Sequence, residues 1–393
     1  MLKVQTLNKI SPVGLEQLPL DLYEVASEFA NPDAVLVRSA DMHAIALAPS
    51  VKAIARAGAG INNIPVSACT ERGIAVFNTP GANANAVKEV TLAALFIASR
   101  NLLEGANWVK SLSGIPQDEL TGRVEKGKSG FNGPELIGKT LGVIGLGAIG
   151  RQVANAAEAL GMRVIGMDPY LSVDSAWQIS KAVEKAMSMD HLLSMSDYLS
   201  LHIPLTDETK GYINRSKFQV MKPGIRILNF ARAGLIARAD LIEALESGLV
   251  ARYVTDFPDA DLLQHERVIS FPHLGASTPE SETNCAVMAV DQLRNYLEHG
   301  NIRNSVNFPD AEMPRNSGYR LIIANRNIPG MVGQITSVLA GENINISDLL
   351  NKHRDLLAYN IIDVDSAITE EQVNRIAAIE GIIMVRLLPP VTK

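Results

Sequence analysis

Hydrophobic positions along the first hundred residues come in short runs broken by polar turns. "DAVLVRSA" (33–40), "VKAIARAGAGINN" (51–63) and "GIAVFNTP" (73–80) read as strands with helical segments between them, which predicts an α/β unit. Residues 86–103, "AVKEVTLAALFIASRNLL", are apolar on most sides and predict a buried helix. The stretch 111–138, rich in Gly, Lys, Pro and Ser, reads as an irregular crossing between lobes. From 139 onward, apolar runs at 141–146, 163–168, 197–203, 225–230, 252–256 and 267–271 alternate with helical or loop segments. That is the pattern of a doubly wound parallel sheet. A helix is expected over 279–299.

The polar stretch 300–318, "GNIRNSVNFPDAEMPRNSG", carries two prolines and reads as a linker. After it the pattern restarts on a smaller scale. A strand at 319–325, a helix at 330–341, strands at 344–350 and 357–364, a helix at 369–379 and a strand at 382–388 give a βαββαβ order, an α+β module near the smallest size that folds alone.

Composition adds exclusions. At 393 residues, two or three compact units are expected. Lys plus Arg number 36 against 42 acids, a net charge of −6, and no long basic run is present to grip a phosphate backbone, so a nucleic-acid partner is not expected. Cys69 and Cys285 lie far apart in sequence and form no metal-ligand pair. They fit a reducing cytoplasm, and no metal site is expected. No stretch reaches the length of a membrane span, and the N-terminus lacks the apolar core of a secretion signal.

The chemistry starts with "LGVIGLGAIG", where Gly145, Gly147 and Gly150 hold GxGxxG spacing between an apolar strand and a helix. Such glycines allow a tight turn and a close backbone approach, while the helix start offers free N–H groups to a pyrophosphate. A second strand ends at Asp168, whose charge suits ribose hydroxyls and repels a 2′-phosphate; the following Pro169 and Tyr170 supply no arginine, so NAD is expected over NADP.

With "LHIPLTDET" (201–209), "LNFARAGLI" (228–236) and "PHLGAST" (272–278), that motif makes the chain resemble the D-isomer-specific 2-hydroxyacid dehydrogenases, and the tail looks like an ACT regulatory domain. The resemblance implies a two-lobed α/β enzyme, with a Rossmann-type nucleotide lobe and a flavodoxin-like substrate lobe, followed by the α+β ACT domain. Implied boundaries are 1–82 and 276–312 for the substrate lobe, 83–275 for the NAD lobe, 313–317 for a linker and 318–393 for the ACT domain. The cofactor would lie along Gly145, Gly147, Ala148, Ile149, Gly150, Asp168, His202, Pro204, Thr209, Ala231, Asp256 and Gly275.

Arg232 and His273 are then the implied catalytic pair, and their chemistry agrees. Oxidising a 2-hydroxy acid needs a base for the hydroxyl proton and a cation for the carboxylate; histidine titrates near neutrality and arginine offers a planar fork. His202 is the rival base. The family also pairs its histidine with a glutamate, but the loop here reads "FPDADLL", leaving Asp261, Asp259 or no acid in that role; spacing favours Asp261. Arg38, Ser39, Gly60, Asn83 and Lys128 are the expected substrate contacts. Asn327 and Asn345, with Asn325 where a histidine is usual, would bind an L-serine effector.

The implied reaction is oxidation of 3-phosphoglycerate to 3-phosphohydroxypyruvate by a cytoplasmic dimer or tetramer. A dehydrogenase for an unphosphorylated 2-hydroxy acid and a non-catalytic NAD-sensing scaffold remain as alternatives.

Overall fold

A computed structural model describes residues 1–316 and 318–390. The chain divides into two compact units, Met1–Asn83 with Pro279–Lys393, and Ala84–Thr278. Among the described residues no helix is long and apolar enough to cross a membrane.

The first unit opens with a five-stranded parallel sheet. Its order is Tyr23–Ala26, Leu2–Leu7, Ala34–Val37, Ala53–Arg56, Ala75–Phe77, the 2-1-3-4-5 order of a flavodoxin-like sheet. Helix Pro279–His299 packs on it through Ala286, Ala289, Val290 and Leu293, and the fully buried alanines 53, 55 and 75 leave room for that approach.

The C-terminal module belongs to the same unit. It is an antiparallel sheet in the order Ile346–Arg354, Leu357–Val364, Tyr319–Arg326, Ile382–Leu388. Alternation gives it two apolar faces. Leu321, Ile323 and Ile362 pack with Ile335, Leu339 and Ile376 of the module's own helices, while Ile322, Ala324, Tyr359 and Ile361 join the core of the parallel sheet. Three arginines reinforce that second contact at the C-terminal end of helix Pro279–His299, where carbonyls lack intrahelical partners. Arg386 donates to the carbonyls of Tyr296 (2.6 Å) and Leu297 (3.2 Å), Arg315 to Glu298 (2.8 Å) and Arg320 to His299 (2.9 Å). Arg320 is fully buried and forks onto Asp363 at 2.6 and 2.8 Å.

The segment 300–316 is therefore no free linker. Ile302, Phe308 and Ala311 are buried, Ile302 bridges Ala311, and the carbonyls of Met313 and Pro314 accept from Arg320. Its prolines and polar residues make it irregular, yet its few apolar positions tie it down. Of the expected 313–317 linker, Ser317 lies outside the described residues, as do residues 391–393 of the expected terminal domain.

The second unit carries a seven-stranded parallel sheet. Its order is Val268–Ser270, Val250–Thr255, Ile225–Asn229, Tyr198–Leu201, Thr140–Ile144, Arg163–Met167, Glu184–Lys185. Strand order reverses between Thr140–Ile144 and Tyr198–Leu201, the arrangement in which open α/β sheets bind ligands at their carboxyl edge. The expected helix over 86–103 ends at Ser99. Helix Leu102–Ser111 follows, and the stretch 111–138 is also more regular than expected, with helix Gln117–Gly127 and a short 3-10 turn, Lys128–Phe131. None of the residues of these two helices is buried; Trp108 and Phe131, with ring centroids 5.3 Å apart, pin the hairpin.

Candidate active site

Each functional loop of the second unit leaves the carboxyl end of a parallel strand. The glycine loop follows Thr140–Ile144 and opens helix Gly150–Ala159. Gly145 has φ +89°, and a Cβ there would sit 2.5 Å from the carbonyl oxygen of His202; one on Gly150 would sit 1.9 Å from the carbonyl oxygen of Gly145. Only glycine fits either position. A Cβ on Gly147 would meet nothing within 4 Å, so this side of the loop is open. The amides of Gly147, Ala148, Ile149 and Gly150 donate to no group among the described residues. Free amides at a helix start, on an open glycine face, fit a pyrophosphate.

Asp168 follows the next strand, and its carboxylate is held by two backbone amides, Leu146 and Tyr170, each at 2.9 Å. It borders a cavity of about 760 Å³ lined by the apolar Leu146, Met167, Pro169, Ile179 and Ala186 and also by Lys181, Glu184 and Lys185, a largely apolar chamber with charged groups around it that suits an adenosine. His202 packs against the glycine loop and shares a 2.8 Å hydrogen bond with the Ser200 hydroxyl. Burial lowers its pKa to about 4, so the ring is neutral near pH 7. The Thr209 hydroxyl donates to the Pro204 carbonyl at 2.6 Å and closes the turn beyond it.

The other flank is built from three neighbouring strands. Arg232 follows Ile225–Asn229, Asp256 follows Val250–Thr255 and His273 follows Val268–Ser270. Asn229, fully buried, shapes the first of these loops. Its Oδ1 accepts from the amides of Ala231 (3.2 Å) and Arg232 (3.3 Å), and its Nδ2 donates to the Arg232 carbonyl at 2.9 Å. Arg232 itself is exposed, with one guanidinium contact, to the Ala231 carbonyl at 2.6 Å.

Asp256 is buried. One carboxylate oxygen accepts from the Gly275 amide at 2.8 Å, while Oδ1 has no partner. A buried anionic oxygen without a donor is costly, and the carboxamide of a nicotinamide supplies the N–H it lacks. The His273 amide donates to the Asp256 carbonyl at 3.1 Å, its backbone is held at φ +20°, and its ring stands edge-on to Phe257 with centroids 5.0 Å apart.

Asp261 is a correction. Its carboxylate pairs with Arg238, as does that of Asp259 at 3.2 Å, and among the described residues no acid lies within ion-pair distance of the His273 ring. The short side chains turn outward to a nearer cation.

In the first unit, Arg38 pairs with Glu282 at 2.7 Å, which occupies the guanidinium expected to meet substrate. The amides of Arg38, Ser39 and Ala40 all donate to the side-chain oxygen of Asn8. Arg56, at the carboxyl end of its strand, donates to the carbonyls of Arg38 (2.9 Å) and Gly60 (2.6 Å) and so ties two expected substrate loops together. The Asn83 Oδ1 is buried and unpartnered. Lys128, in the second unit, pairs with Glu125 one turn back and faces solvent. Sequence reasoning missed Asn229 and Arg56. Their signals were a polar residue closing an apolar strand ("RILNF") and a lone cation among small residues ("AIARAGAG").

The three tail asparagines are not brought together. Asn325 is buried and committed: its Nδ2 donates to the Arg326 carbonyl (2.6 Å) and its Oδ1 accepts from Asn360 (2.7 Å), so it is not available to an effector. Asn327 ties to the Asp355 carbonyl at 3.2 Å and Asn345 to Asp365. They stand at opposite ends of the Tyr319–Arg326 and Leu357–Val364 pairing, so one small molecule could touch both only across two copies.

Residues 92–275 match the family model described as D-isomer specific 2-hydroxyacid dehydrogenase, NAD binding domain. Over those residues, fewer than half of the chain, it is similar to that family. It binds NAD. The D-3-phosphoglycerate dehydrogenase of Archaeoglobus fulgidus is 35% identical over 81% of this chain and 59% of its own length. The chain thus spans about three fifths of that curated relative. Among solved structures, a glyoxylate reductase from Paecilomyes thermophila is similar with a TM-score of 0.62 and 28% identity, covering 78% of this chain and 98% of its own. An NAD+-bound 3-phosphoglycerate dehydrogenase of Entamoeba histolytica has a TM-score of 0.60 and 26% identity, with the same coverage.

Proposed function

We propose that the chain is an NAD-dependent dehydrogenase that oxidises 3-phosphoglycerate to 3-phosphohydroxypyruvate, the first step of L-serine biosynthesis. The observation that carries this is the arrangement of the three loops. Arg232, Asp256 and His273 follow strands that are consecutive neighbours in the sheet, so a cation, a buried acid and a titratable base line one edge within about 10 Å of strand spacing.

Bound NAD supplies the hydride acceptor. Arg232 orients the substrate carboxylate and polarises the carbonyl that forms at carbon 2. His273 takes the hydroxyl proton; the neutral, enclosed His202 is a poor base and serves as a wall for the cofactor. Asp256 fixes the nicotinamide face by its unpaired oxygen. Ser39, Gly60, Asn83 and the backbone beside Arg38 are assigned to the acid and phosphate groups, with Arg56 as the residue that positions them.

Steady-state turnover of 3-phosphoglycerate with NAD tests the proposal, and a preference for an unphosphorylated 2-hydroxy acid would replace it. Glyoxylate reduction is the second reading, favoured by the likeness to the Paecilomyes structure. Absence of turnover with every 2-hydroxy acid would return the non-catalytic alternative. The proposal extends to a cytoplasmic oligomer in which Asn327 of one copy and Asn345 of another hold L-serine in the ACT-like module. Inhibition by serine, relieved by Asn327→Ala, tests that extension.

A further inference from the structure

We propose that the edge of the C-terminal module and the loop 304–310 form a second binding site, for a small hydroxylated phosphate monoester. A cavity of about 390 Å³ lies between them, with Asn304, Ser305, Phe308 and Asp310 on one wall and Lys352 and Arg354 on the other. Its construction follows from the fold. Strand Ile346–Arg354 is an edge of the module sheet, and its neighbour Tyr359, in register with Lys352, donates its hydroxyl to the Gly300 carbonyl at 2.7 Å. That bond holds the end of the sheet over the chain that folds back through the Ile302–Ala311 bridge.

The charges in the cavity are unequal. Residues two apart on a strand share a face and stand about 7 Å from each other, so Lys352 and Arg354 point the same way. Arg354 reaches across to the Ser305 carbonyl at 3.1 Å through one nitrogen, which fixes its guanidinium and leaves other N–H groups over. Lys352 has no acid within ion-pair distance among the described residues, whereas Lys52 sits on Asp33 and Lys222 on Asp197. The acid opposite, Asp310, already spends Oδ1 on the Asn304 amide at 2.8 Å.

Two cations against one carboxylate leave the cavity net positive and attractive to an anion, and a phosphate fits both a point charge and a planar fork. The second oxygen of Asp310 can accept a hydroxyl from the same ligand. Basic residues on an edge strand also prevent sheet-to-sheet pairing. That role needs neither a cavity nor a bond from Arg354 to the facing wall.

Isothermal titration of inorganic phosphate into the full chain, with NAD saturating so that the glycine loop is filled, tests the site. Expected is saturable uptake that survives Arg232→Ala, weakens at least about tenfold in Lys352→Ala and in Arg354→Ala, and raises the melting temperature of the wild type but not of those two variants. Turnover without phosphate should be unchanged in both, because neither belongs to the candidate active site. Arg354→Lys, which keeps the charge and loses the fork, should fall between. If Arg354→Ala does not fold, Lys352→Gln at an exposed position decides alone. Uptake that is unaltered in the Lys352 variants, lost in Arg232→Ala, or absent at millimolar phosphate overturns the proposal.

Discussion

Asp168 and Asp256 each follow a strand of the same parallel sheet, yet they meet a ligand in different states. Asp168 has an amide on each oxygen and stands partly exposed, so its hydrogen-bonding needs are met before any cofactor arrives. It acts through position and charge. Asp256 is buried with one oxygen unmet, so its environment is incomplete until a donor arrives. The Asp168 carboxylate is thus satisfied by the fold, while Asp256, on the Arg232–His273 flank, is left open to be satisfied by a ligand.

The open flank should therefore carry the largest effects. His273→Asn is expected to lower turnover by roughly 10²–10⁴-fold with little change in NAD affinity, because only the proton acceptor is lost. The pH profile makes the assignment sharper. With its pKa drawn down to about 4, His202 stays neutral above about pH 5, so an inflection of kcat/KM above that pH that comes from the base should vanish in His273→Asn and persist in His202→Asn. The reverse result would make His202 the base.

Asp256→Ala ranks next. It strands the Gly275 amide and removes the acceptor for the carboxamide, and charge-assisted hydrogen bonds of this kind are worth about 1.5–3 kcal/mol, so the NAD Kd should rise about 10- to 100-fold by calorimetry. Asp168→Ala should act differently. NAD affinity should change less, while the preference for NAD over NADP narrows by about tenfold, near 1.4 kcal/mol, because a repelled 2′-phosphate is no longer repelled. Equal losses for both cofactors in Asp168→Ala would erase the contrast between the flanks.

What was legible in advance follows the same division. Gly145, Gly150 and Asp168 are set by local backbone demands, a positive φ, a contact too close for a Cβ and a strand end, so spacing alone located them. Most strands of the three sheets were legible through their apolar runs, but Leu2–Leu7 and Tyr23–Ala26 were not. The outward turn of Asp261, the enclosure of Asn325 and the arginine clamp on helix Pro279–His299 depend on residues far away in the chain, Arg238, Asn360 and Asp363 among them, and no local pattern announces such partners. The irregular segment 300–316 misled for a related reason. Its composition describes the shape of the backbone, and its burial is decided by what packs over it.

The smallest effect is expected at Asp261. A carboxylate beside His273 would stabilise the imidazolium, and Asp261→Asn would then move the pH profile to lower pH. The geometry gives the acid another partner. Its side chain is 61% exposed and bound to Arg238, which is itself 51% exposed and also holds Asp259 at 3.2 Å. Exposed pairs of this kind contribute about 0–1 kcal/mol, and the second acid remains when the first is neutralised. Asp261→Asn should thus change turnover by less than about twofold and leave the pH profile in place, measured beside His273→Asn in the same buffers. A shift of the profile to lower pH would mean that the loop 258–263 swings its acid onto the histidine when substrate is bound, and that this part of the open flank, too, is completed only by its ligand.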